Sequence, residues 1–285
     1  MLRLRSAVML TLLGIFIFWQ AGHQAYAQGK PLEIGIHPYL SARALFAQHD
    51  PLRQYLEKHL KREVRFYTTT TFKEFINHTL RGEYDLIITA PHIARLAQVE
   101  KGYEPIIGYT GGVDVLLVVA KDSPLTDVNS LRHRQVAIPD RLAVVVMTGI
   151  GRLKDLGLRP QRDYQLTEMN SFNTAMISVT LNQADAAITA PPPLAQLPKE
   201  TRDQLRVLST LGEVAPGLAV MVNPQLPQPL RESIKKLCLE FAANTAESKT
   251  FLQNSGFQKI TPLNPSSLRH MDRYMRETND LIGRP

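Results

Sequence analysis

The chain closes two of its predicted strands with the same letters. Residues 84–91 read YDLIITAP and residues 184–191 read ADAAITAP, so Asp, Ile, Thr, Ala and Pro recur one hundred positions apart. Each copy runs from a short apolar stretch into a proline, and a proline is well tolerated at the first position of a helix. The repeat predicts two α/β units that share one strand-to-helix turn. Chance recurrence of a common turn is the alternative.

Outward from this repeat, short apolar runs alternate with amphipathic segments. PLEIGI, EVRFYTT and YDLIITA read as strands. DPLRQYLEKHL reads as a helix with Asp50 as its cap and Pro51 at its first position. In the next helix, Thr70 or Thr71 is the expected cap, and Glu74 is the capping-box partner of Thr71. The alternation is typical of βαβ units, so we expect an α/β fold of two lobes around a cleft, each lobe a mostly parallel sheet flanked by helices, with strand order 2-1-3 in the first lobe.

The organisation of the chain follows from its uniform composition. No Pro/Gly/Ser-rich linker separates the units, so strands near 110–120 and 205–222 are expected to pass between the lobes. The predicted segments are 1–27 as a signal peptide, 28–114 as the first part of lobe one, 115–210 as lobe two, and 211–285 as a return to lobe one with the C-terminal helices.

The first residues have the features of a secretory signal. Arg3 and Arg5 precede a short apolar run, and Ala25-Tyr26-Ala27 offers the small-x-small pattern of a cleavage site. We expect cleavage after Ala27 and export to a periplasm; an uncleaved anchor is the alternative. The single cysteine, Cys238, excludes an intrachain disulfide and is expected to be buried on a helix. The net charge of +7 suits an anionic ligand or an acidic partner, but is equally common on an ordinary surface.

Ligands of parallel α/β sheets collect beyond the carboxyl ends of the strands. In lobe one this edge is predicted to present imidazoles, hydroxyls and free N–H groups from His37, Tyr39, Thr69, Thr70, Thr71, Thr89, Pro91 and His92. The helix starts after Thr71 and at Pro91 would favour an anion. The strand order would also bring His37 and His92 close together. For the threonines, a strand end followed by a helix cap is the alternative.

In lobe two the matching loops supply a smaller polar set. The candidates are Asp140, Arg141, Asn170, Ser171, Asn173 and Thr189. Arg141 would pair with a carboxylate or phosphate, unless it is simply exposed to solvent. At least one of Asn170, Ser171 and Asn173 is expected to be a helix cap instead of a ligand donor.

Signatures of catalysis are missing from the sequence. It has no G-x-S-x-G elbow, Walker A loop, H-E-x-x-H motif or complete dinucleotide fingerprint. We therefore expect a protein that is not an enzyme and that needs no cofactor or metal ion. Nucleic-acid binding is disfavoured because the basic residues are dispersed and no reading motif is present.

Several segments resemble the periplasmic phosphate/phosphite/phosphonate-binding proteins of ABC transporters. The segments are LEIGIHPYL at 32–40, PLRQYLEKHL at 51–60, YDLIITAP at 84–91 and VVAKDSPLTDVNSLRHRQVAIPD at 118–140. The resemblance implies a Venus-flytrap fold of the type II periplasmic-binding class and a monomer. It also implies capture of a small anionic, phosphonate-like ligand for an inner-membrane permease. A sensory member of the same fold that reports to a membrane kinase or cyclase is the alternative.

One stretch departs from that family. Where the family carries small hydroxyl residues that hold phosphonate oxygens, this chain reads LAVVVM at 142–147, and Thr148 follows about a turn later. An apolar wall cannot donate hydrogen bonds to a desolvated oxyanion. A ligand with an apolar part, a weaker anion held by Arg141 and lobe one, and a protein partner are the possibilities that this leaves open.

Overall fold

The structure is a computed structural model that describes residues 29–111, 113–243 and 245–284. The predicted signal peptide lies outside the described residues. The strands are β1 (Leu32–Ile36), β2 (Val64–Tyr67), β3 (Leu86–Thr89), β4 (Glu104–Thr110), β5 (Asp114–Ala120), β6 (Gln135–Ile138), β7 (Gln165–Glu168), β8 (Ala186–Thr189), β9 (Leu205–Glu213), β10 (Leu218–Val222) and β11 (Lys259–Pro262).

The helices flank these strands on both sheets. They are α1 (Ala42–Leu60), α2 (Phe72–Leu80), α3 (Pro91–Lys101), α4 (Val144–Asp155), α5 (Phe172–Thr180), α6 (Pro191–Ala195), α7 (Lys199–Arg202), α8 (Gln228–Ala242), α9 (Ala246–Ser255) and α10 (Asp272–Ile282). Among the described helices, none is long and apolar enough to cross a membrane.

The strands form one sheet in each lobe. The first sheet has the order β11-β4-β10-β3-β1-β2 and the second has the order β7-β6-β8-β5-β9. The predicted order 2-1-3 is confirmed, because β1 pairs in parallel with both β2 and β3. The second sheet repeats this unit, since β6 pairs in parallel with β7 and β8. The two-lobed α/β prediction is therefore confirmed.

The sheets are mixed instead of mostly parallel. Beside each parallel unit lies a strand of opposite direction, β10 next to β3 and β5 next to β8. The reason is that the chain crosses between the lobes twice, once from β4 to β5 and once from β9 to β10. A strand that enters a lobe from a crossing starts at the edge of the sheet where the parallel strands end. It therefore runs antiparallel to them, as β5 and β10 do. In the second sheet, β9 continues to Glu213, three residues beyond the predicted end of lobe two at 210.

The two crossings are short and lie side by side. The N–H of Val214 donates to the carbonyl of Val113 at 3.0 Å, and the N–H of Gly217 donates to the carbonyl of Tyr109 at 2.7 Å. A Cβ on Gly217 would collide with the Val113 side chain, so only glycine allows this approach. The crossings thus form a paired connection at which the two lobes meet.

The repeated aspartate performs the same task in each lobe. The N–H of Glu33 on β1 donates to Asp85 Oδ2 at 2.9 Å, and the N–H of Asp85 donates back to the Glu33 carbonyl at 2.9 Å. In lobe two, Gln135 on β6 makes the same pair of bonds with Asp185, at 2.8 and 2.9 Å. Each aspartate therefore fixes the start of the strand that leads to the shared turn. Pro91 and Pro191 then begin α3 and α6, as predicted.

The first helix begins earlier than expected. Asp50 does not cap it: α1 begins at Ala42, the Ser41 hydroxyl is its cap, and Pro51 lies inside it. The Asp50 carboxylate instead accepts a hydrogen bond from Arg53 Nε at 2.6 Å within the helix. The residues before Asp50 extend the apolar face of the helix, and this burial outweighs the lost proline donor. The capping box of Thr71 and Glu74 and the burial of Cys238 are confirmed.

The aspartate clamp predicts a measurable loss on mutation. Asp85→Ala leaves the Glu33 N–H without its side-chain acceptor in a half-buried position, so unfolding in urea should show a loss of about 1–3 kcal/mol. Asp203→Ala is the matched control, since Asp203 only forms a surface pair with Lys199, and it should leave stability nearly unchanged. Equal losses for the two variants would contradict a structural role for the clamp.

Candidate functional site

A cavity lies between the two lobes, at the carboxyl ends of the parallel strands. Its volume is about 50 Å³. Lobe one lines it with His37, Tyr39, Phe72, Ala90, Leu218 and Phe257. Lobe two contributes residues 143–145, Phe172, Ala190 and residues 192–193. Val113 and Gly217, from the two crossings, complete the wall. Any movement about the crossings would therefore change the shape of this cavity.

His37 is a buried polar side chain in the lobe-one wall. It is 4% exposed, and its Nδ1 has no hydrogen-bond partner among the described residues. Its ring stacks on Tyr39 at 5.3 Å between ring centres and meets the ring of Phe72 edge-on at 4.9 Å. Burial lowers the pKa of His37 to about 3, with further lowering by the charges of His92 and His49. At neutral pH the imidazole is uncharged and can still form a hydrogen bond.

The hydroxyl of Tyr39 is already used inside lobe one. Gln48 Nε2 donates to Tyr39 Oη at 2.5 Å, and the same oxygen lies 3.0 Å from His49 Nε2. Since the hydroxyl accepts from Gln48, its own hydrogen is free to donate to His49. Burial raises the pKa of Tyr39 far above its usual value and lowers the pKa of His49 to about 3. Tyr39 therefore supports His37 and contributes its ring to the cavity wall.

His92 joins the two lobes directly. It is fully buried at the start of α3, and its Nε2 lies 3.0 Å from the carbonyl oxygen of Leu142 in lobe two. A carbonyl can only accept, so the proton of the neutral ring resides on Nε2. Burial lowers the pKa of His92 to about 4, which keeps this neutral form at physiological pH. His92 thus bonds the two lobes to each other and does not line the cavity, and its proximity to His37 stays a prediction.

The lobe-two wall is the start of α4, and it is apolar. Ala143 occupies the cap position without a side-chain hydrogen bond, and Val144 and Val145 begin the helix. Thr148, the hydroxyl that follows this stretch, lies 2.8 Å from Tyr274 Oη on α10 and so bridges to lobe one outside the cavity. The substitution seen at 142–147 in the sequence therefore forms one side of the cavity.

The two charged candidates beside this wall do not line it. Asp140 accepts a hydrogen bond from the Leu142 N–H at 2.7 Å and so shapes the turn before α4. Desolvation raises the pKa of Asp140, and the bond from Leu142 opposes that rise. Arg141 is half-buried, and its Nε has no hydrogen-bond partner among the described residues. The cavity consequently has no arginine or lysine among the described residues that line it.

The predicted threonine site is occupied by the protein itself. The N–H groups of Thr70 and Thr71 both donate to Glu74 Oε2, at 3.2 and 3.3 Å, and the Thr69 hydroxyl donates to the Thr71 carbonyl. The Glu74 carboxylate is thus bound to the two amides that precede the helix, and the Glu74 N–H donates to the Thr71 hydroxyl at 3.2 Å. None of Thr69, Thr70 and Thr71 lines the cavity.

Among the polar candidates of lobe two, Ser171 has a structural role. Ser171 caps α5 by accepting from the Thr174 N–H at 3.1 Å, while Asn170 is exposed. Neither these residues nor Asn173 lines the cavity. Thr89 and Thr189 are fully buried at their strand ends and precede the lining residues Ala90 and Ala190 in the chain without lining the cavity themselves. Of the predicted site residues, the structure places only His37 and Tyr39 in the cavity wall.

Apolar lining residues are what the sequence reading missed. Phe72 and Phe172 line the cavity from opposite lobes, and each is the first residue of a helix that follows a capping box. They stand one hundred positions apart, the same offset as the repeated turn. Extending the repeat to this pair would have found them. Metal ions have no evident site, since nowhere in the described part of the chain do three His, Cys, Asp or Glu side chains come together to hold one.

Comparison with known proteins agrees with this geometry. A family model described as "ABC transporter, phosphonate, periplasmic substrate-binding protein" matches residues 34–268. A binding-protein component of an ABC phosphonate transporter from Pseudomonas aeruginosa is 17% identical over 88% of both chains, with a TM-score of 0.74. PhnD1 from Prochlorococcus marinus, solved with methylphosphonate, is 12% identical over 88% of this chain and 98% of its own, with a TM-score of 0.73.

A further similar structure takes a different ligand. The alkanesulfonate-binding protein SsuA from Xanthomonas axonopodis, solved with MOPS, is 16% identical over 90% of this chain and 93% of its own, with a TM-score of 0.60. At these identities the structural likeness shows the shared two-lobed fold.

The buried imidazoles predict that the protein loses stability in acid. His37, His49 and His92 have folded-state pKa values of about 3, 3 and 4, below the ordinary value of 6.5. The unfolded chain therefore binds more protons, so their contribution is complete above pH 6.5 and is lost as the pH falls towards the folded values. Urea unfolding at pH 7, 6 and 5 should show a loss of roughly 2 kcal/mol per histidine by pH 5.

One variant separates this effect from general acid sensitivity. His37→Phe replaces an uncharged ring among aromatic neighbours and should remove about one third of the histidine contribution to this loss. His133→Gln, at an exposed position, is the matched control and should behave as the wild type. A pH dependence that His37→Phe leaves unchanged would contradict the neutral, buried state of this imidazole.

Proposed function

Because the chain belongs to the family of periplasmic substrate-binding proteins of phosphonate ABC transporters, we propose that it captures a small solute between its lobes and delivers it to a membrane permease. The observation that carries this proposal is the cavity, to which both lobes and both crossings contribute residues. A ligand held there would touch both lobes at once. It would therefore favour the closed arrangement over any open one.

The contacts between the lobes support capture by closure. The His92 ring of lobe one bonds the backbone carbonyl of Leu142 in lobe two. The Thr148 hydroxyl of lobe two contacts the Tyr274 hydroxyl of lobe one. These few polar contacts flank an apolar cavity, so closing would expel water and strengthen each hydrogen bond made inside. A permease could then distinguish the closed, loaded form from an open form by its shape.

A solute panel tests this function. Phosphate, phosphite, alkylphosphonates, carboxylates and sulfonates would each be added in a thermal-shift screen, where a ligand at one hundred times its dissociation constant stabilises by roughly 2.7 kcal/mol. The solute that stabilises the protein should also reduce its radius of gyration in solution scattering, because binding draws the lobes together.

Two matched variants locate the binding site. Ala190→Leu adds a side chain into the cavity wall and should abolish the stabilisation, whereas Ala195→Leu makes the same change at an exposed position of α6 and should preserve it. Stabilisation that survives Ala190→Leu, or a panel in which no solute changes the shape of the protein, would contradict the proposal.

A further inference from the structure

The cavity has the wrong chemistry for a doubly charged ligand. Two negative charges placed there would leave water and meet an apolar wall on lobe two, and the described lining residues include no arginine or lysine. An ion buried without a countercharge bears the full cost of its desolvation. The hydroxyls that would offset part of this cost are absent from 142–147.

The cavity does offer a small set of hydrogen-bonding groups. Val144 and Val145 are the first residues of the twelve-residue helix α4, and N–H groups in the first turn of a helix have no partner within it. No side chain caps this helix, so these donors remain for a ligand. From the other lobe, the buried imidazole of His37 lines the same cavity, and its ring makes no hydrogen bond to the described residues.

These groups suit one polar head and not a three-oxygen anion. A neutral imidazole can either donate or accept one hydrogen bond, and the helix start can supply two donors to a single oxygen. The partial positive charge at a helix N-terminus amounts to about half a charge, which matches a dipole or one negative charge better than two. The rest of the wall consists of rings, alanines, valines and prolines, which favour contact with hydrocarbon.

The size of the cavity limits the body of the ligand. One water molecule needs roughly 10–15 Å³ of such a cavity, so about 50 Å³ admits a few water-sized groups. The rings of Phe72 and Phe172 contribute to the wall from the two lobes. A short aliphatic chain is the kind of body that such a space accepts.

We propose that the cleft selects a short aliphatic molecule with a single polar head that is neutral or singly charged, and that it discriminates against alkylphosphonates. The head would lie between His37 and the first turn of α4, and the hydrocarbon part would lie among the apolar lining residues. This assignment rests on the proposed solute-binding function and narrows its substrate class. It differs from the phosphonate-like ligand that the family resemblance implies.

A series of probes with one body and different heads tests the assignment. Propionamide, propionate, ethanesulfonate and ethylphosphonate share an ethyl group and carry zero, one, one and two negative charges at pH 8.5. Titration calorimetry with the wild-type protein should give tighter binding of propionamide or propionate than of ethylphosphonate by at least about ten-fold. Ethylphosphonate binding as tightly as the best of the others would overturn the assignment.

The variant His37→Phe tests where the head lies. It should weaken the favoured probe several-fold while the variant unfolds in urea as a single cooperative species, because only the hydrogen bond to the head is lost. Binding that His37→Phe leaves unchanged would also overturn the assignment. If none of the four probes binds, the substrate class is wrong; a solute from the wider panel that closes the lobes and is blocked by Ala190→Leu would still uphold the function.

Discussion

A single backbone-to-carboxylate bond, made once in each lobe, determines where the cleft can be. Asp85 and Asp185 hold the strands β3 and β8 against β1 and β6 through bonds of 2.9 and 2.8 Å. With the strand start fixed, four buried residues lead to the same turn in both lobes, and Ala90 and Ala190 reach the cavity wall. The positions of α3 and α6 follow from that turn. The repeated sequence is therefore a repeated scaffold for two facing walls.

The walls differ in chemistry although their scaffold is shared. Lobe one presents an imidazole backed by Tyr39 and His49, whereas lobe two presents Val144 and Val145 at a helix start without a side-chain cap. Burial acts on both sides, because it keeps the imidazoles neutral and removes Val144 and Val145 at the helix start from bulk solvent. Membership of a phosphonate-binding family and an apolar cleft are compatible, since a fold is retained more readily than the donors that define one ligand.

Most of the fold could be predicted from the sequence, because its signals are local. Apolar periodicity gave the strands, and the strand order and the capping box of Thr71 followed from short patterns. The prediction that Asp50 caps the first helix is wrong because the residues before it continue the apolar face of the helix. Burial of that face stabilises the longer helix more than a cap at Asp50 would stabilise a shorter one. The site was harder to predict, because threonines and serines that cap helices look like ligand donors until the structure shows their partners. Apolar lining residues such as Phe172 carry no chemical signature, and only the offset from Phe72 pointed to them.

A small solute bound in the apolar space between the lobes is what the proposed function depends on. A crystal structure of the protein grown with the solute that stabilises it most would test this directly. We expect closed lobes and electron density for the solute between His37 and the first turn of α4, in contact with Phe72 and Phe172. Density for the solute elsewhere on the protein, with an empty cleft, would contradict it.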